Sequence, residues 1–267
     1  MIYSIQNVKS IVIKFFRKIR QKLLAENRFS KYLLYAIGEI VLVVIGILIA
    51  LQINTWSENQ KIKQEEKILI TGLIQNIESD IRSLIAVTKS DSTLIDANRI
   101  LLSAFKNDLI RRNKPLLKQR ILEASGTSSF IPSQITFNQM QFSGKLTYIL
   151  NDSIKNKIQS YYDNVSNVLD YQESNLKLIY GTAIELAPFL DINSVLQIAL
   201  PDFAKMEVDA FDNSFFYEDI QSDRVKEFAD KSTLKQALMV PVYRTHSELL
   251  QEGIALRESL IQYIDEK

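Results

Sequence analysis

Leu33–Ile53 reads LLYAIGEIVLVVIGILIALQI, 21 residues in which only Glu39 and Gln52 are strongly polar. Ile40 to Leu51 carries no polar side chain at all. Wound as a helix rising about 1.5 Å per residue, the run covers the roughly 30 Å hydrocarbon core of a bilayer. It predicts a transmembrane helix over residues 32–54. The run ends in Leu51-Gln52-Ile53-Asn54-Thr55-Trp56. That ending lacks the small-residue pattern of a signal-peptide cleavage site, and Trp56 suits the water–lipid boundary. The expectation is an uncleaved anchor.

The charge is unevenly placed around this run. Residues 1–31 hold Lys9, Lys14, Arg17, Lys18, Arg20, Lys22, Arg28 and Lys31 against the single acid Glu26, a segment charge of +7. Residues 54–267 carry 24 basic against 29 acidic side chains, a charge of −5. The positive-inside rule therefore predicts a cytoplasmic basic segment (1–31) and a body (55–267) on the far side. In a cell with two membranes that is the inner membrane and the periplasm. An acidic body also argues against nucleic acid as a partner, because phosphate contacts need a positive face.

The basic segment is amphipathic. Ile5, Val8, Val12, Phe15, Phe16, Ile19 and Leu23 share one side of a helical wheel, with Lys14, Arg17 and Lys18 mostly opposite. Together with Arg20 and Lys22 these cations form a candidate membrane-surface site for anionic lipid. A plain topology-setting flank fits the same residues.

Glu39 interrupts the apolar run for a reason that the helical period suggests. Ala36, Glu39, Val43, Gly46 and Ala50 fall on one side. Gly46 and Ala50 form a small-x-x-x-small pair, which lets a second helix approach closely. A carboxylate in lipid costs a few kcal/mol, about 2.5–3.5 on insertion scales, and favours a partner. The stripe is thus a candidate association face for another transmembrane helix, from a second copy or a different membrane protein. The alternative is a carboxylate near the cytoplasmic edge that snorkels to water.

The stretch FFRKIRQKLLAENRFSKYLLYAIGEIVLVVIGILIALQINTWSE, Phe15 to Glu58, resembles the N-terminal signature of an uncharacterised family of single-pass membrane proteins from Bacteroidota. The features that carry the resemblance are Phe15-Phe16-Arg17-Lys18-Ile19-Arg20, Ala36-Ile37-Gly38-Glu39-Ile40, Ile53-Asn54 and Trp56. FSGKLTYILNDSIKNKIQSYYDNV, Phe142 to Val165, is similar to a second stretch of that family through Ser143-Gly144 and Tyr161-Tyr162. The resemblance implies a membrane location and a Gram-negative setting. It implies no activity, cofactor or catalytic residue.

Beyond Trp56 the helical period continues. Ile62, Leu69, Leu73, Ile77, Ile81 and Leu84 recur every three or four positions, with a gap at Glu65–Glu66. The polar Thr88–Thr93 could cap a new helix at Ser90 or Ser92, making a hairpin. One long helix running to about Asp108 is preferred, because the spacing resumes at Leu94, Leu101 and Phe105. Pro115 suits a helix start, with a short helix from Leu116 to Glu123. Ser125–Ser129 and Pro132 mark a loop, and Phe137–Phe142 a short helix. Asp152 is the expected cap of a second long helix ending near Pro188, with Ile154, Ile158, Tyr161, Val165, Val168, Leu176, Ile179 and Ala183 inward. A last helix is expected over Thr233–Ile264, with Leu234, Leu238, Leu249, Leu256, Leu260 and Ile264 inward and Pro241 bending or briefly interrupting it.

The fold class expected is all-α: a single N-terminal transmembrane helix continuing into an elongated antiparallel helical bundle. The 267 residues, 46% hydrophobic, have room for one sizeable body.

Few patterns suggest chemistry. There is no cysteine, which excludes disulfides and thiolate metal sites. Asp202, Glu207, Asp209, Asp212, Glu218, Asp219 and Asp223 lack the spacing and central glycine of a calcium loop. The one histidine, His246, lies in Thr245-His246-Ser247-Glu248 and reads as part of a polar helix face. No phosphate-cradling glycine motif occurs. Phe211, Phe215, Phe216 and Tyr217 form a possible partner patch or, more simply, aromatic rings buried against the bundle. The expected function is non-enzymatic, without cofactor: a membrane-anchored interaction or scaffold module. A sensory or ligand-binding module acting through a membrane partner is the second reading.

Overall fold

The computed structural model describes residues 21, 29–104, 106–107, 112–186 and 221–266. Among them the fold is all-α, with no strand. Helix α1 spans Phe29–Ala104, α2 Lys114–Ser125, α3 Ile135–Phe142, α4 Asp152–Leu186 and α5 Asp223–Asp265. A 3-10 turn, Lys145–Tyr148, lies between α3 and α4. The chain divides into two compact units, Met1–Gln64 and Glu65–Lys267.

Helix α1 is one unbroken element, so the hairpin alternative at residue 90 is excluded. The polar Thr88–Thr93 stretch stays inside the helix, and its two threonine hydroxyls turn back on their own backbone. Thr88 Oγ1 donates to the Leu84 carbonyl at 2.7 Å and Thr93 Oγ1 to that of Lys89 at 3.0 Å. Helix α1 ends at Ala104; the expected end at Asp108 falls outside the described residues.

The second unit is built on one core. Ile70, Leu73, Ile77 and Leu84 of α1 meet Met140 of α3. Ile154, Ile158, Tyr161, Val165 and Val168 of α4 and Leu249, Leu256 and Leu260 of α5 close the same cluster. Phe137 stacks on Tyr162 with ring centroids 4.0 Å apart. Each buried aliphatic side chain contributes about 1.5–3 kcal/mol of transfer free energy. A smaller cluster gathers Leu94, Ile179 and Met239.

Two helix limits differ from the sequence reading, each for a local physical reason. Helix α4 is capped by Asn151, whose Oδ1 accepts from the Ile154 amide at 3.1 Å. The expected cap, Asp152, instead stands in the first turn and pairs with Lys155 at 2.6 Å. Helix α5 starts ten residues before Thr233, where Ser222 Oγ accepts from the Val225 amide at 3.4 Å. Leu234, expected inward, is 51% exposed, while its neighbour Lys235 is fully buried. Helix α5 runs unbroken through Pro241, so the interruption expected there does not occur.

The close approach of α1 to α3 depends on Gly72. A Cβ there would lie 2.9 Å from Thr136 Oγ1 and 3.1 Å from its Cγ2. Gly181 in α4 has nothing within 4 Å. In chemical denaturation of the detergent-solubilised chain, Gly72→Val is expected to lower stability by about 1–3 kcal/mol. Gly181→Ala is expected to raise it by up to about 1 kcal/mol through helix propensity alone.

Candidate functional site

Two features of the structure bear on function. The first is the apolar run in α1. It contains an 18-residue window of mean hydropathy 2.7, none of it buried. One helix is therefore long and apolar enough to cross a membrane. Of the predicted association stripe, Ala36 and Glu39 are partly exposed, and Val43, Gly46 and Ala50 are exposed. A Cβ at Gly46 would meet nothing within 4 Å. The basic residues Lys14, Arg17, Lys18, Arg20 and Lys22 lie outside the described residues, as do Phe211, Phe215, Phe216 and Tyr217.

The second feature is a buried polar lattice in the other unit, which the sequence reading missed. The inner stripes of all three long helices recur at spacings of three and four residues, with extra buried positions at Tyr162 in α4 and at Ala97 and Ala104 in α1. In α5 the stripe runs Val225, Phe228, Ser232, Lys235, Met239, Val242, His246, Leu249, Gly253, Leu256, Leu260, all buried. In α1 the same spacing places Glu66, Asp80, Asp91 and Asn98 among the apolar core residues, and in α4 it places Gln172 and Asn175 there. A polar residue in phase with an apolar stripe must enter the core and find a partner.

The partners are largely backbone. Residues 126–134, between α2 and α3, are non-helical, so their peptide groups cannot bond to one another as a helix would. Side chains from the long helices serve them instead. Lys235 Nζ donates to the carbonyls of Ala124 at 2.5 Å and Gly126 at 3.1 Å, closing the end of α2. Ser128 Oγ donates to Asp91 Oδ1. The Phe130 amide donates to Gln172 Oε1 at 2.7 Å, and Gln172 Nε2 donates back to the Phe130 carbonyl at 3.2 Å. The Ser133 amide donates to Asp80 Oδ1 at 2.6 Å, and the Thr136 amide to Asn76 Oδ1 at 2.9 Å. Residues 126–134 are thus a strap tied to three helices.

His246 sits inside this lattice rather than on a polar face, correcting the sequence reading. Its side chain is 0% exposed and that of Asp91 is 3% exposed. Nδ1 lies 2.8 Å from Asp91 Oδ2, Nε2 lies 3.1 Å from Gln172 Oε1, and the Phe130 ring meets the imidazole edge-on. A parallel arrangement holds the other end of the core. Glu66 Oε1 accepts from the Leu150 amide at 2.9 Å and from the Tyr263 hydroxyl at 2.6 Å. The apparent gap in the α1 stripe at Glu65–Glu66 is therefore a buried acceptor.

Burial sets the electrostatics. It pushes the Asp80 carboxyl up to about 6, against the opposing pull of the Ser133 amide and the Tyr161 hydroxyl, which donates to Oδ2 at 3.1 Å. The Tyr161 phenol is pushed far up by burial and by the charge of Asp80. Burial pulls the Lys235 ammonium down to about 8. At the surface, Lys157, Ser160, Tyr161, Glu252, Ala255, Leu256 and Ser259 line an open groove of about 350 Å³ along α4 and α5. No group of three or more His, Asp or Glu side chains that could hold a metal occurs among the described residues.

The profile of a family of unknown function, DUF6090, matches residues 39–181, over half of the chain. That span includes the distal part of the apolar run, the strap and most of α4. No curated protein matches, and no solved structure matches.

The Asp80 carboxyl ionises near 3.8 when unfolded and near 6 when folded. Between those values the folded chain binds more protons, so this group's contribution falls as pH rises from 4 to 6 and is flat above. Asp80→Asn is expected to remove that slope. Measured by denaturation at pH 4.5 and pH 7, the variant should gain on the order of 2 kcal/mol relative to the parent across the interval.

Proposed function

We propose that this chain, which belongs to the family of unknown function DUF6090, is a single-pass membrane-anchored interaction module without enzymatic activity. The observation that carries the reading is the uncovered apolar run of α1, with none of its 18-residue window buried, preceded by a segment of charge +7. An apolar surface of that length is stable only in lipid or against other apolar helices. The basic segment stays in the cytoplasm and binds anionic lipid headgroups. The acidic body crosses to the periplasm of a Gram-negative cell, a setting supported by the resemblance of the N-terminal signature to Bacteroidota membrane proteins.

Within the bilayer, the stripe Ala36, Glu39, Val43, Gly46 and Ala50 associates with another transmembrane helix. Gly46 and Ala50 let the backbones approach, and Glu39 takes part in a polar contact across the interface. The long helices of the body are joined through apolar clusters and long-range hydrogen bonds, an arrangement that suits a surface presented to a partner.

A sensory role is the second reading. It is favoured by α1 being one unbroken helix that contains both the apolar run and the buried residues Asp80 and Asp91.

Reporter fusions test the orientation. A periplasm-dependent reporter at the C-terminus is expected to be active and a cytosol-dependent one inactive, and the chain should stay with membranes in alkaline carbonate. The opposite reporter pattern, or release by carbonate, would refute the anchor. Because the chain has no cysteine, Gly46→Cys and Ala50→Cys introduce unique thiols. Crosslinked products are expected from both in native membranes, whereas cysteine at Val44, on another side of the helix, should give far fewer.

A further inference from the structure

The hydrogen bonds around the single histidine fix where its protons are. Gln172 cannot be turned around: its Oε1 accepts from the Phe130 N–H and its Nε2 donates to the Phe130 carbonyl. The atom that faces His246 Nε2 at 3.1 Å is therefore an acceptor, and Nε2 must carry a hydrogen. On the other side, Nδ1 lies 2.8 Å from Asp91 Oδ2, and the second oxygen of Asp91 already accepts from Ser128 Oγ. An imidazole with Nε2–H and a bare Nδ1 would set a lone pair against a carboxylate oxygen with water excluded. The Nδ1–Oδ2 contact consequently needs a proton of its own, and the imidazole nitrogen, a stronger base than a carboxylate oxygen, holds it. The pair then has no net charge, as burial demands.

We infer that this proton is a latch: while it sits between Asp91 and His246 the 126–134 strap is held on the three long helices, and when it leaves for bulk water the strap lets go. Loss of the proton leaves a buried carboxylate facing a lone pair. The least costly relief is for Asp91 or His246 to turn away, which takes Ser128 and the Gln172–Phe130 clamp with it. Phe130, whose ring is buried against His246, then loses its seat. The groups facing the imidazole are Asp91 from α1, Gln172 from α4, and Ser128 and Phe130 from the strap. On its own helix, Lys235 lies eleven residues earlier and holds Ala124 and Gly126. A neutral amine still donates to those two carbonyls, so Lys235 keeps its hold when it loses a proton. Asp80 acts at Ser133 and titrates on the acid side.

The test uses the full chain in lipid nanodiscs. Because His246 is the only histidine, selective ¹⁵N-histidine labelling reports its two ring nitrogens without assignment. Both are expected to be protonated in the latched state. Hydrogen exchange, expressed as protection so that the intrinsic effect of pH is removed, should show peptides covering 127–131 losing at least tenfold protection. That loss should occur over the pH interval in which Nδ1 loses its proton, while peptides from 70–84 keep theirs. Asp91→Asn supplies the decisive contrast. Its amide nitrogen donates to a bare Nδ1 and its oxygen still accepts from Ser128, so the strap should stay protected throughout with a neutral ring bearing Nε2–H. A bare Nδ1 in the unmodified chain while the strap is protected would overturn the latch, as would equal loss of protection in Asp91→Asn. The ring-nitrogen measurement decides the matter even if that variant fails to fold.

Discussion

A polar side chain on the inner stripe of a helix loses its water and has to be answered inside the protein. That constraint organises the body of this chain. Glu66, Asp80, Asp91 and Asn98 on α1, Gln172 on α4, and Lys235 and His246 on α5 all lie in the core. Each reaches a specific backbone or side-chain group. Leaving one such group unmet costs about 1–3 kcal/mol, and more for a charge. The lattice is therefore coupled, and a change at one member is felt by its neighbours.

The lattice also solves a problem set by the loop. The nine residues of the strap, 126–134, have peptide groups that cannot pair within a helix or a sheet. The long helices meet this need with carboxylates, amides and an ammonium aimed at individual N–H and C=O groups. Buried polar contacts of this kind add little net stability compared with well-packed apolar residues. What they supply is position. Since the three stripes share one seven-residue period, purely apolar packing would tolerate slippage by a heptad. Matched polar groups at chosen places in the stripe fix the register.

Much of the architecture is legible in the sequence. The apolar run, the all-helical class and the inner face of α4 follow from spacing alone, because Ile154, Ile158, Tyr161, Val165 and Val168 are apolar and in phase. The reading failed where the stripe passes through polar residues. Glu65–Glu66 looked like a gap, Leu234 looked like core, and His246 looked like surface. The phase itself was the available signal: His246 lies three or four residues from Val242 and Leu249, and Lys235 from Ser232 and Met239.

The sequence by itself determined that a lipid-length apolar helix is joined to an acidic all-helical body, because burial of apolar surface is written directly in residue type and period. It also determined the phase of the α4 inner stripe. Only the tertiary structure decided which polar residues enter the core, that Asn151 rather than Asp152 caps α4, and that the strap is held by Asp80, Asp91, Gln172 and Lys235. Apart from the local Asn151 cap, those choices depend on partners 42 to 155 positions away along the chain. A buried charge is tolerable only when such a partner arrives at hydrogen-bonding distance, and no local pattern encodes that meeting.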